Sequence, residues 1–360
     1  MSGAARLASV FFAVHLSMLF YLYPENVIGM SHFGQWAPIL AGYAIELVFL
    51  LFYLSGLSAF PREDVADILS RWGVWAARLL LLPLLTYFFT SLVLLNRSHA
   101  EIAAILFLPN TPIWALQLLM LVIPLRAAAV GFASVQRGAI AILLFVAPLI
   151  AFSLASCFQN ANLNYLFPLQ ADGLFWRKEL FLSVLIPHSG FLFLGMTGTV
   201  CNFASRPLRR ALFLAMGGLL PFYFLVAYLP ILILDPGNAA QFQFPLPAAL
   251  DTVNLEWLMF DRITMFYVVA TIVLIYVYSA VLFWCSTRLV SKLYWPWSPK
   301  PLLFGIAAAV YVSCLAIPDW YTFDVLSHWN APLRLYGIAC IPVLAFAVAI
   351  TNKRVRRTIN

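Results

Sequence analysis

The sequence predicts an all-α integral membrane protein with about ten transmembrane helices. Three observations predict it: the apolar composition, the length of the apolar runs and the uneven placement of the basic residues. Hydrophobic residues make up 64% of the 360 and charged ones 10%, with a mean hydropathy of +0.93; a soluble domain is about half apolar and a quarter charged. So few charges cannot cover cores of that size in water, and the apolar faces must meet lipid. Inside lipid every backbone polar group needs an internal partner, which leaves helices or a closed barrel. Long unbroken apolar runs, without alternation, exclude the barrel.

A helix crosses the hydrocarbon with about 20 apolar residues. On that measure helices are expected near 7–30, 35–58, 72–95, 112–135, 138–158, 180–204, 210–234, 259–287, 301–317 and 333–351. The first is expected to stay as a signal-anchor, since no small-residue cleavage site follows it. The connections are short: Pro61–Asp67, Leu108–Pro112, Asn160–Glu179, the Pro- and Gln-rich stretch 235–257 and Trp295–Pro301. None could hold a soluble domain, so the chain reads as a single transmembrane domain, 1–360, with its function in the membrane. With ten spans, 16 of the 21 Lys and Arg residues fall on one side, among them Arg62, Arg71, Arg126, Arg206, Arg288, Lys300 and the basic tail from Lys353 to Arg357. Only Arg97, Arg177, Lys178, Arg262 and Arg334 fall on the other. Cytoplasmic loops hold the excess, which places both termini in the cytoplasm. The net charge of +7 follows from the same bias, holds helix ends at anionic lipid headgroups, and gives no reason to expect nucleic acid.

Ionisable groups within membrane spans are costly and are functional candidates. His15 and Glu25 lie in the first span, Glu46 in the second and His188 in the sixth. Glu46 sits among apolar residues in Ala44–Phe52; it faces a polar cavity, is protonated, or bonds to a neighbouring helix. Glu25 follows Pro24 and fits the outer interface, while His15 and His188 fit packing as well as binding. Helix breakers add a second signal: Pro24 in the first span and Gly190, Gly195 and Gly198 in the sixth. Interrupted helices in corresponding positions of two halves point to a binding site at half depth, where unwound backbone offers N–H and C=O groups. Cys157, Cys201, Cys285, Cys314 and Cys340 are scattered singly and read as packing residues. A nucleophile elbow, a phosphate loop, a metal-spaced cluster and a paired acidic motif are all missing. No catalytic residue, metal or cofactor is therefore implied, and a membrane acyl- or glycosyltransferase lacks the polar cluster it would need.

A succession of short motifs resembles the B subunits of spore germinant receptors, the spore germination permease family within the amino acid/polyamine/organocation superfamily. The motifs are Phe60-Pro61, Leu108-Pro109-Asn110-Thr111-Pro112, Gly131 with Arg137, Phe167-Pro168-Leu169, Phe244-Pro245 and Asp261-Arg262. The chain departs from the family's usual glycine-containing break in the first span, where it has His15-Leu16-Ser17-Met18-Leu19. The resemblance implies a leucine-transporter-like fold of two inverted five-helix repeats, about 7–158 and 180–351, with a pocket between the first, third, sixth and eighth spans. Carried onto this chain, Ser17, Met18, Leu19, Tyr87, Gly195, Met196, Thr197 and Thr271 would line it. The implied role is that of a receptor subunit in the spore inner membrane, binding an amino acid or similar germinant and acting with A and C subunits. The alternative is a proton-coupled amino-acid permease in the spore or cell membrane, with His15 or Glu46 as the coupling group.

Overall fold

The computed structural model describes residues 2–20, 22–31, 33–170, 182–253, 263–296 and 298–359. Thirteen helices among them are used below. They are α1 (Gly3–Leu19), α2 (Tyr23–Met30), α3 (Trp36–Ser58), α4 (Val65–Leu69), α5 (Val74–Leu106), α6 (Ile113–Val130), α7 (Phe132–Cys157), α8 (Arg206–Leu234), α9 (Pro236–Ala239), α10 (Pro245–Asp251), α11 (Thr264–Leu293), α12 (Pro299–Leu315) and α13 (Trp320–Ile359). A 3₁₀ segment, Pro187–Met196, stands where the sixth span is expected. Seven helices are long and apolar enough to cross a membrane, or eight if the bent pair α1 and α2 forms one span. The two remaining expected spans correspond to the short apolar helix α12 and to the segment around Pro187–Met196. The outside of the bundle is apolar: Leu144 is 80% exposed, Leu214 76% and Leu79 70%. A water-soluble surface does not carry so many large apolar side chains together.

Several boundaries differ from those expected, for identifiable reasons. The third span runs on past residue 95 to Leu106, because Asn96, Arg97, Ser98 and His99 are buried within the bundle. There Arg97 pairs with Glu101 one turn on, so the polar stretch that ends the hydropathy signal does not end the helix. The tenth span begins at Trp320 instead of 333, after Asp319, whose Oδ1 accepts the Thr322 N–H at 2.8 Å. The fourth and fifth spans meet at Gly131, where φ is +111°; an L side chain rarely adopts that conformation, so glycine there ends one helix and starts the next. The connection 235–257 holds the short helices α9 and α10. Asp261-Arg262 and part of the Asn160–Glu179 connection lie outside the described residues.

Helix α11 is the most buried span and packs on α1, α5, α6, α7 and α12, while α1 also packs on α8 and α13 lies along α3. At Gly56 a Cβ would sit 2.8 Å from the backbone of Ala345 and Phe346. A small residue there lets α3 and α13 approach closely, as spans do without a hydrophobic force between them.

Candidate functional site

Both segments expected to be interrupted are interrupted. Helix α1 ends at Leu19, α2 starts at Tyr23, and their axes differ by 55°. Pro24 occupies the first turn of α2, where its missing N–H costs nothing and its ring cannot clash with a preceding turn. Phe20 caps α1 at φ −81°, ψ 3° and Leu22 precedes α2 at φ −80°, ψ 0°, conformations any residue can adopt, so neither position calls for glycine. The exposed backbone finds side-chain partners: Tyr267 Oη donates to the Phe20 carbonyl at 3.2 Å and Tyr53 Oη to the Leu192 carbonyl at 3.4 Å. Gly195 packs under Tyr53, since a Cβ there would lie 1.7 Å from the phenol oxygen.

The three ionisable residues His15, Glu46 and His188 converge in one wholly buried cluster. His15 Nε2 lies 2.7 Å from Glu46 Oε1, and His188 Nδ1 lies 2.7 Å from Oε2. Tyr223 Oη of α8 also donates to Oε2, at 3.1 Å, and its ring stacks on His188 with centroids 4.7 Å apart. Two glycines make the room: a Cβ on Gly190 would fall 2.7 Å from the His15 ring and one on Gly42 2.5 Å from His188 Nε2. Glu46 is thus a carboxyl bonded to neighbouring helices, and the neighbours are themselves titratable.

Donor counting fixes the protons of this cluster. The second His15 nitrogen, Nδ1, lies 2.7 Å from the Phe11 carbonyl oxygen, which only accepts. A neutral imidazole has one N–H and a carboxylate has none. Making both His15 bonds therefore requires one proton more than neutral histidine plus carboxylate, carried on His15 or on Glu46. Glu46 Oε2 accepts from Tyr223 and from His188 Nδ1, which leaves His188 Nε2 as a bare acceptor without a hydrogen-bond partner among the described residues. The His15 and Glu46 pair stores one proton at zero net charge and ties the interrupted first span to the second.

A small cavity of about 30 Å³ lies beside the breaks, lined by Met18, Tyr87, Ser91, Tyr278, Asn330 and Arg334 among others. Tyr87 Oη and Ser189 Oγ are 2.5 Å apart, joining α5 to the 3₁₀ segment. Of the expected pocket residues, Met18 and Tyr87 reach this cavity. Thr271 instead lines a crevice of about 10 Å³ with Phe20, Pro24 and His99. Ser17 and Thr197 are buried and bond their own turns, to the Val14 and Leu194 carbonyls at 2.7 and 2.8 Å. Leu19, Gly195 and Met196 are buried in the core. Among the described residues, no three His, Cys, Asp or Glu side chains are arranged to hold a metal ion.

At the arginine-rich end, buried Asp64 gathers three elements. Arg288 Nε donates to its Oδ2 at 2.6 Å, Lys292 Nζ lies 2.9 Å from the same oxygen, and its Oδ1 accepts the Thr199 N–H at 3.1 Å. Lys292 also pairs with Asp67. The loop after the second span is thereby fastened to the sixth segment and to α11.

Residues 7–319 match the family described as spore germination protein. The chain belongs to the spore germination protein family. It is 22% identical over 334 residues to spore germination protein YndE of Bacillus subtilis (strain 168), covering 89% of this chain and 88% of that one. Its fold is similar to the crystal structure of MhsT in complex with L-phenylalanine, with a TM-score of 0.60 and 12% identity over 97% of this chain and 98% of that one. This spore germination protein family member therefore has a leucine-transporter-like fold, and it is a multi-pass integral membrane protein. Two of its site residues escape a reading of the sequence. Tyr223 carries no charge to draw notice, and Arg334 stands where hydropathy puts a helix boundary.

Proposed function

We propose that this chain is the B-type subunit of a germinant receptor in the spore inner membrane, with both termini in the cytoplasm and two inverted repeats at about 7–158 and 180–351. It binds an amino acid or similar small molecule between the interrupted first and sixth spans and passes the signal to A and C subunits. The observation that carries the reading is the Met18, Tyr87 and Ser189 constellation, set where both interrupted segments meet in a family member of transporter fold. MhsT, whose fold it resembles, was solved with L-phenylalanine. A cavity of about 30 Å³ has room for a water molecule but not for an amino acid. The ligand therefore favours a wider conformation, and that difference in affinity between two states is the signal. Stabilisation of the purified chain by an amino acid in a thermal-shift screen, weakened in Tyr87→Phe, is expected. An unchanged response in that variant would move the site elsewhere.

One observation favours a second reading, a proton-coupled amino-acid permease: the single proton stored between His15 and Glu46 at the first-span break. Radiolabelled amino-acid uptake into proteoliposomes, abolished by Glu46→Gln, would decide for the permease and against a pure sensor.

A further inference from the structure

Arg334 is 4% exposed and lies about four turns inside α13, some 21 Å from its start. Its Nη2 donates to the Leu182 carbonyl at 2.6 Å, so it links the tenth span to the sixth segment. It also lines the cavity shared by Met18 and Tyr87, and among the described lining residues it alone carries a formal charge. Tyr87, Ser91, Tyr278, Ser327 and Asn330 supply the neutral polar groups around it. A buried cation lining a cavity inside a membrane bundle marks a ligand path or a counter-ion site.

We propose that Arg334 is the specificity-determining residue of this cavity and that the ligand bears a carboxylate, as an α-amino acid or another small carboxylic acid does and a nucleoside or hexose does not. The inference rests on the small-molecule binding read above and narrows its chemistry. A guanidinium presents a planar fork of donors that matches the two oxygens of a carboxylate. Asn330, anchored by its Nδ2 donating to Thr90 Oγ1 at 2.6 Å, and Tyr87 provide neutral acceptors suited to an ammonium group. An arriving carboxylate competes with the Leu182 carbonyl for the guanidinium, so occupancy is tied to the position of the sixth segment.

The test uses the full chain in detergent and a thermal-shift titration with the standard L-amino acids, their C-terminal amides, a nucleoside and a hexose. At least one amino acid should stabilise the protein, and its amide should need about 100-fold more, the scale of one charge-assisted bond. Arg334→Lys, which keeps the charge and loses the fork, should weaken the acid about 10-fold or more and leave the amide unmoved. Equal effects of acid and amide, or stabilisation by a neutral solute alone, would overturn the assignment to Arg334 while leaving small-molecule binding intact. No stabilisation by any of these solutes would overturn both. The acid and amide comparison needs only the unaltered chain, so it holds even if the variant fails to fold.

Discussion

Replacing Glu46 separates the cluster's hydrogen bonds from its proton. In Glu46→Gln the amide oxygen can still accept from His188 Nδ1 and Tyr223 Oη, and the amide nitrogen can donate to the Nε2 of a neutral His15. The His15 bond from Nδ1 to the Phe11 carbonyl stays. Every bond survives, so stability should change by less than about 1 kcal/mol, the net value of one such bond. Glu46→Ala instead strands both imidazoles and the Tyr223 hydroxyl in a buried site, which should cost about 3–5 kcal/mol. The eleven tryptophans report unfolding by fluorescence in detergent, and the denaturant midpoints of the three proteins give the differences. Equal destabilisation by Gln and Ala would refute the hydrogen bonding assigned to Glu46.

Further outcomes follow from named contacts. Gly195→Ala should destabilise by about 1–3 kcal/mol through overpacking, and Tyr53→Phe, which removes the oxygen 1.7 Å from the new Cβ, should recover part of it in a double-mutant cycle. Asp64→Asn should cost roughly 2 kcal/mol, since Arg288 and Lys292 lose a buried counter-charge but are themselves part-exposed; chemical denaturation with and without the substitution measures it. Asp319 is held below the ordinary carboxylate range, first by the Thr322 N–H. Its contribution is therefore present above the unfolded carboxyl value and lost as pH falls through the lower folded value. Hydrogen-exchange protection factors in the first turn of α13, corrected for the intrinsic pH dependence of exchange, should fall at acid pH, and Asp319→Ala should remove that dependence.

Much of the architecture could be read from the residues because lipid makes simple demands: long apolar runs, and breakers where helices stop. Pro24 and the glycines of the sixth segment marked both interruptions, and Phe20 in the first turns with a negative φ that needs no glycine. His15, Glu46 and His188 stood out singly, but one carboxylate gripping two imidazoles across 142 residues of sequence is a matter of packing that no spacing reveals. Hydropathy failed where polar residues continue a helix inside the bundle. Asn96–His99 hid the last turns of α5, and the polar stretch before residue 333 hid the first turns of α13. The second of these put Arg334 at an apparent surface when it belongs to the interior.

The Asp64 cluster makes the molecule mechanically lopsided. One carboxylate sews the loop after the second span to the sixth segment and to α11, so the arginine-rich end behaves as a closed seam. While those stitches hold, any widening around Met18 and Tyr87 has to come from helices splaying at the far end. A guest would then enter from the side opposite the basic loops, with the seam acting as the pivot.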